Sequence, residues 1–202
     1  MIALVPGFLT GLSLIVAIGA QNAFVIRQGL AKSYVFLVVA ICAVIDALLI
    51  ALGIAGLGAL ITATPWLLEF IRWFGVAYLT WFGLKSFRRA FSSQQMDLSG
   101  STSDTAKKVA ASVLGFTLLN PHVYLDTVIL VGSIGNQFGE QRWWFGAGAM
   151  AASFVWFFGL GYGAKAASRF MTKPVFWRVL DTVIGVIMFS IAILLAVFDF
   201  SN

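Results

Sequence analysis

Long apolar stretches separated by short polar ones dominate the chain. A membrane-spanning helix needs about 20 mainly apolar residues. Six windows qualify, at approximately 4–26, 34–62, 66–84, 110–134, 144–164 and 179–198. Because lipid offers the backbone no hydrogen-bond partners, and because no window shows the alternation of a barrel strand, all six are predicted to be helices. The predicted fold is an all-α membrane protein with six transmembrane helices.

Composition agrees with this class. Of the 202 residues, 60% are hydrophobic and only 10% are charged, whereas a soluble domain is about 25% charged. The first window follows no basic segment and contains Pro6 and Gly7, so it is predicted to be a span and not a cleaved signal peptide. The single Cys42 excludes an internal disulfide, and neither a nucleotide-binding loop nor a zinc-like spacing occurs. No cofactor or metal is therefore expected.

One extended polar stretch, from Lys85 to Lys108, divides the six windows into two sets of three. A duplicated unit with an odd number of spans must insert its copies in opposite orientations. Polar residues interrupt the first span of each set, at Gln21–Asn22 and at Asn120–Pro121–His122. Such paired interruptions indicate a transport site near the midplane. Residues 1–202 are thus predicted to form one transporter domain, with inverted repeats at about 1–90 and 109–202 and a cytoplasmic linker at about 85–108.

The basic residues lie on one side of the predicted membrane. Of the 13 lysines and arginines, all except Arg72 and Arg142 fall between spans one and two, three and four, or five and six. The positive-inside rule then places both termini on the non-cytoplasmic side. Because these bases are distributed by loop and form no continuous exposed face, membrane lipid is the expected partner and nucleic acid is not.

Two carboxylates lie near the middle of apolar segments. Asp46 is the only acidic or basic side chain between residues 33 and 64, and residues 109–136 contain only His122 and Asp126. An acid at bilayer depth costs several kcal/mol, so such residues usually face an aqueous pathway, a partner or a cation. Both aspartates are therefore candidate functional residues.

The fourth span carries a compact polar patch. Pro121 lacks an amide hydrogen and crowds the carbonyl of Thr117, so the helix is expected to break there. His122 and Asp126 are four residues apart and share a helix face, with the Asn120 amide beside them. This patch could hold a cation or relay a proton. Alternatively, His122 serves only to hydrogen-bond Asp126 and reduce the cost of its burial.

Other polar and small residues have structural interpretations. Glu69 and Arg72 are expected to form an interfacial ion pair, and Asp181, next to Arg178, is interpreted as a helix-end charge. Small residues recur at four-residue spacing in the second and fifth spans, which favours close helix contact. That contact lies either within one protomer or in a homodimer. The small residues include Ala47, Ala51, Gly53, Ala147 and Ala151.

Two motifs resemble a known family. The stretch from Gly19 to Gly29 reads GAQNAFVIRQG, and the stretch from Leu119 to Asp126 reads LNPHVYLD. Both closely resemble the LysE family of bacterial basic amino-acid exporters, most nearly its arginine exporters, and shorter matches extend the likeness over essentially the whole chain. One departure is Ala20, where several family members have proline. Gly19 is then the residue expected to permit irregular backbone in span one.

The resemblance implies an exporter in the bacterial inner membrane that carries L-arginine, L-lysine or close analogues. It also implies that a pair of aspartates is required for transport, and Asp46 and Asp126 occupy the matching positions. An amino-acid exporter of this kind is a transporter and not an enzyme. Exporters of neutral amino acids and of metal cations remain alternatives, although the former has less need of two acids and one His and one Cys suit soft metals poorly.

Electrical work suggests the coupling ion. Moving one positive charge outward opposes about 2.3 kcal/mol per 100 mV of membrane potential. Inward movement of one proton would cancel this term, so proton antiport is expected. A carboxylate can serve both steps, because a proton and a substrate cation compete for it. Gln21, Asn22 and Asn120 are expected to hold the substrate's carboxylate and other polar groups.

Overall fold

The computed structural model describes residues 2–16, 19–57, 65–91, 105–170 and 174–197, and within these ranges the chain forms helices and no strand. The all-α prediction is confirmed for this part of the chain. We number the helices α1 to α8. They are α1 (Leu4–Ile15), α2 (Ala20–Leu30), α3 (Val35–Leu52), α4 (Pro65–Phe91), α5 (Ala106–Leu118), α6 (Pro121–Asn136), α7 (Arg142–Ala167) and α8 (Pro174–Val197).

Several of these helices end or change pitch at identifiable residues. Gly53–Leu57 continue α3 as a π turn, in which Gly56 has a φ of 96°, a conformation that favours glycine. Helix α6 contains a π segment over Leu125–Leu130. At the start of α5, Thr105 Oγ1 accepts a hydrogen bond from the Lys108 backbone N–H at 3.4 Å, which is an N-cap.

The helices define a multi-pass membrane protein, although the described residues do not confirm six spans. Within the described ranges, three helical segments are individually long and apolar enough to cross a bilayer, and there are five spans if each bent pair counts as one. The axes of α1 and α2 differ by 83°, and those of α5 and α6 by 63°. The predicted span at 66–84 lies within the 27-residue α4, which is not among the five, because Glu69 and Arg72 lower its hydropathy.

The described helices overlap both ends of the predicted linker at 85–108. Helix α4 continues through Phe91, and α5 begins at Ala106, so helix occupies both ends of that stretch. Residues 92–104 lie outside the described residues. The extension arises because Lys85, Arg88 and Arg89 are good helix formers, so their charge does not by itself end a helix.

Helices of the two predicted repeats pack against each other. Helix α4 lies along α8, α1 and α2 lie along α7, and α3 lies against both α7 and α5. Phe24 of α2, Phe82 of α4 and Phe116 of α5 form an aromatic cluster, with ring centroids 4.6 to 5.9 Å apart. All three rings are buried in the larger apolar core. Residues from both ends of the chain thus share one core.

Glycine brings helix backbones into direct contact. A Cβ at Gly148 of α7 would overlap the carbonyl oxygen of Leu4 in α1, and a Cβ at Gly7 would overlap that of Phe145. The small residues that form this contact within the chain differ from those predicted. Ala147 and Ala151 are exposed. The surface of α7 that contacts α1 lies one residue further along the sequence, at Gly148. A homodimer contact stays a prediction.

Replacing Gly148 with alanine is expected to destabilise the protein by about 1–3 kcal/mol, since the added methyl group overlaps backbone that has no room to move. Gly159 of the same helix has nothing within 4 Å of an added Cβ. Gly159→Ala is therefore the matched control, expected to stabilise slightly through higher helix propensity. Thermal unfolding of both variants in detergent would check this, and equal midpoints would contradict the packing described above.

A buried ion pair joins α2 to α8. Arg27 Nε donates to Asp181 Oδ1 at 3.1 Å, and the Asp181 side chain is fully buried while that of Arg27 is 17% exposed. The interpretation of Asp181 as a helix-end charge beside Arg178 is wrong, because packing of α8 against α2 turns its carboxylate inward. The expected pair of Glu69 and Arg72 is present, with a distance of 3.0 Å.

Candidate functional site

A cavity of about 330 Å³ lies where both bent helix pairs meet α3 and α8. Residues Leu14 and Ile15 of α1, together with Ile191 and Leu194 of α8, form part of its apolar wall. Its polar wall contains all six residues predicted to bind substrate or couple protons. They are Gln21, Asn22, Asp46, Asn120, His122 and Asp126. Of the two predicted helix-break residues, Gly19 lines the cavity and Pro121 is buried outside its lining.

Asp46 lies in the middle of α3 and is only 3% exposed. Its Oδ2 accepts a hydrogen bond from Ser153 Oγ of α7 at 3.3 Å. Its Oδ1 is buried without a hydrogen-bond partner, and so is Nε2 of Gln21. The Gln21 amide neighbours the Asp46 carboxylate without reaching hydrogen-bond geometry. One carboxylate oxygen and one amide donor are therefore available to a ligand in the cavity.

Asp126 lies in the π segment of α6 and is partly buried. The Asp126 carboxylate is attracted electrostatically to His122 and repelled by the carboxylate of Asp46. The two acids therefore face one shared space from different helices. Hydropathy did not predict the π segment, because the hydropathy of the side chains does not distinguish a π turn from an α-helical turn. Single π turns within α-helices are frequent at functional sites.

The first helix break is stabilised by Asn22. Its Nδ2 donates to the carbonyl oxygen of Ile15, the last residue of α1, at 3.0 Å. Trp156 Nε1 of α7 donates to Asn22 Oδ1 at 3.3 Å. Asn22 therefore holds the broken backbone together and also lines the cavity. Gly19 has φ −114° and ψ −177°, extended values that any residue adopts, so the break does not depend on glycine there.

The second helix break has its own caps. Asn120 Oδ1 accepts a hydrogen bond from the His122 backbone N–H at 3.1 Å, and Pro121 occupies the first turn of α6. Tyr124 donates its hydroxyl proton to the carbonyl oxygen of Leu118, the last residue of α5, at 2.9 Å. Proline suits the first turn because it has no N–H to satisfy. The Asn120 oxygen is thus engaged by backbone, which leaves its amide nitrogen to face a ligand.

Ser153 and Trp156 are partners of site residues that the sequence did not predict. Ser153 is fully buried against Asp46 and is the only hydroxyl between Arg142 and Gly161 of α7. An isolated hydroxyl in the centre of an apolar helix is a signal that could have identified it. In the part of the chain that the structure describes, no group of three or more His, Cys, Asp or Glu side chains could hold a metal ion.

The fold and the site together define a class: a multi-pass, all-α membrane protein whose two broken helices enclose a polar cavity, as in secondary transporters. The LysE type translocator family matches residues 12–198. The chain belongs to this family, and the expected resemblance is confirmed.

Relatives in several bacteria are similar over nearly their whole length. The chain is 44% identical over 192 residues to "Putative amino-acid transporter YggA" of Aeromonas salmonicida, covering 94% of this chain and 93% of the relative. It is 42% identical over 196 residues to "Arginine exporter protein ArgO" of Enterobacter sp., covering 94% and 91%. It is also 42% identical over 193 residues to the ArgO protein of Salmonella enteritidis, with the same coverage. No solved structure matches the chain.

Proposed function

We propose that this protein exports basic amino acids, L-arginine and also L-lysine, from the bacterial cytoplasm. The single observation that carries the proposal is the pair of carboxylates, Asp46 and Asp126, on one cavity. Among the described residues that line this cavity there is no lysine or arginine to neutralise them. A negatively charged, partly desolvated cavity favours a cationic ligand. The names of the relatives from Enterobacter and Salmonella support arginine as that ligand.

The size and chemistry of the cavity favour an amino acid over the alternatives. A volume of about 330 Å³ lies within the range of organic-ligand pockets, and a bare metal ion needs far less. Both carboxylates and three side-chain amides line it, so charged and polar groups of one solute could be bound together. A neutral amino acid has only its ammonium group to offer the two acids, so one carboxylate would meet no positive charge of the substrate, which is costly in a buried site.

Proton antiport is the coupling that we propose. A carboxylate that releases the exported cation can take up a proton from the outer side and carry it inward, so the two movements together transfer no net charge. His122 interacts with Asp126 and could pass that proton. Asp46 and Asp126 also interact with each other, so the two acids are expected to titrate as a coupled pair.

We further propose that the protein lies in the inner membrane with both termini outside the cytoplasm. The carboxyl end of α2, which bears Arg27, packs against the carboxyl end of α7, where a Cβ at Gly29 would lie 2.6 Å from Ala164 Cβ. The amino end of α1 packs at the opposite end of α7, near Phe145. The basic ends of the helices therefore gather away from the start of α1, as the positive-inside rule requires for this orientation.

Counterflow in proteoliposomes tests substrate and coupling together. Labelled arginine is offered outside vesicles that contain arginine, lysine, leucine, threonine or a divalent metal. We expect arginine and lysine inside to accelerate uptake strongly, and the other solutes to have little effect. An imposed pH gradient should drive net arginine movement against the proton flux. If leucine or a metal inside the vesicles accelerated uptake as strongly as arginine, the proposed substrate would be contradicted. If the pH gradient had no effect on arginine movement, antiport would be contradicted.

A further inference from the structure

The two helix breaks differ in a way that distinguishes the two ends of a bound solute. At the break before α6, Asn120 caps the helix and Pro121 removes one N–H. At the break before α2, Gly19 is the N-cap residue and provides no side-chain cap. The first N–H groups of a helix have no partner within it and carry partial positive charge. The amino end of α2 is therefore the more available anion site.

A buried side chain at the same place also lacks a partner. Gln21 lies in the first turn of α2 and is 8% exposed, and its Nε2 has no hydrogen-bond partner. Both Gly19 and Gln21 line the cavity. An unsatisfied buried N–H donor is costly unless an acceptor reaches it. The amide is thus a second, independent indication that an acceptor binds at this end of α2.

Asp46 restricts what that acceptor can be. Its carboxylate neighbours Gln21 and keeps one oxygen without a partner, so an isolated anion at α2 would be repelled by it. A zwitterion would not be repelled, because its ammonium and carboxylate lie on the same carbon and can meet Asp46 and α2 together. Asp126, on the other broken helix, is then left for a cationic side chain.

We propose that the α-carboxylate of the substrate binds the amino end of α2 and Nε2 of Gln21, while Asp46 pairs with the adjacent α-ammonium group. This inference rests on the proposed export of amino acids and adds the orientation of the substrate. The side-chain cation then lies toward Asp126 and His122. Recognition of the α-carboxylate makes the transporter selective for amino acids over the corresponding amines.

Agmatine tests this directly, because it is arginine without the α-carboxylate. Counterflow is measured with the full chain in proteoliposomes, using labelled arginine and labelled agmatine. Loss of a charge-assisted hydrogen-bonded group is expected to slow agmatine at least about tenfold relative to arginine. Equal rates for the two solutes would overturn the inference, and this arm needs no variant protein.

Substitution of Gln21 supplies the second arm. Gln21→Leu keeps the size of the side chain and removes the donor, so arginine transport should fall about tenfold while agmatine transport stays near its wild-type rate. Gln28→Leu is the matched control, because Gln28 lies on the same helix, is 3% exposed and is not part of the cavity lining. It should preserve the wild-type ratio of arginine to agmatine transport. Equal slowing of both solutes by Gln21→Leu would overturn the inference.

Failure of the inference can be told apart from failure of the proposed function. If leucine is carried and arginine is not, leucine is compared with isoamylamine, its decarboxylated counterpart, and the same ratio decides the inference. In that case the proposed basic substrate is wrong, but the ratio of leucine to isoamylamine transport still confirms or overturns the proposed binding site for the α-carboxylate. If wild-type protein carries no amino acid, both proposals are overturned.

Discussion

Asp46→Asn is expected to lower arginine export by at least about 30-fold while leaving the amount of protein in the membrane unchanged. Asparagine has nearly the shape of aspartate and can still accept the Ser153 hydrogen bond seen at 3.3 Å. It cannot pair with a cation or take up a proton. Removing one partner of a desolvated charge pair costs about 2 kcal/mol or more of binding free energy, which corresponds to a loss of affinity of about 30-fold. Asp126→Asn should have the same effect on arginine.

Export assays in cells and counterflow in vesicles would check both variants. Glu140→Gln is the matched control, because Glu140 is an exposed acid outside the cavity and its neutralisation should leave the rate unchanged. Export at the wild-type rate by either aspartate variant would exclude that carboxylate from the mechanism. If the substitution lowered the amount of protein in the membrane and left the rate per transporter unchanged, the acid would have a structural role.

Arg27→Ala is expected to destabilise the protein by about 3–5 kcal/mol, as is Asp181→Asn. Each change removes the salt bridge that joins α2 to α8, and removing one member of a buried ion pair is strongly destabilising. Arg178→Ala is the control, since Arg178 is the exposed neighbour that the sequence alone suggests as the partner of Asp181. It should leave the unfolding midpoint nearly unchanged.

A double-mutant cycle measures the coupling within this pair. Thermal unfolding is compared for Arg27→Ala, Asp181→Asn and the double variant, in the same detergent. Because either substitution alone already breaks the salt bridge, the double variant should be less destabilised than the sum of the two single variants. Strict additivity would show that the two side chains do not depend on each other.

The sequence predicted much of the helical structure because hydropathy and proline act locally. The apolar windows located most of the helices, and Pro121 marked a change of direction that the structure places between α5 and α6. Contacts between distant helices were not predictable in this way. Asp181 pairs with a residue 154 positions away, and Ser153 with one 107 positions away. Only the packing of α8 on α2, and of α7 on α3, brings these groups together.

The candidate site was predictable residue by residue but not in its internal contacts. Charge in an apolar window identified Asp46 and Asp126, and the polar interruptions identified Gln21 and Asn120. Their hydrogen-bond partners depend on backbone carbonyls freed at the breaks and on the pitch of α6, which hydropathy does not encode. For this reason the structural role of Asn22 at Ile15 was not predicted.

The glycine contacts between α1 and α7 restrict how the cavity can open. Two backbones with no side chain between them cannot slide past each other without first separating, and separation would lose the close van der Waals packing that holds helices together in lipid. Helices α1 and α7 should therefore move as one unit, although they belong to different predicted repeats. Any change of access to the cavity must then leave α1 and α7 together, so the first half of the chain cannot rock as a whole against the second.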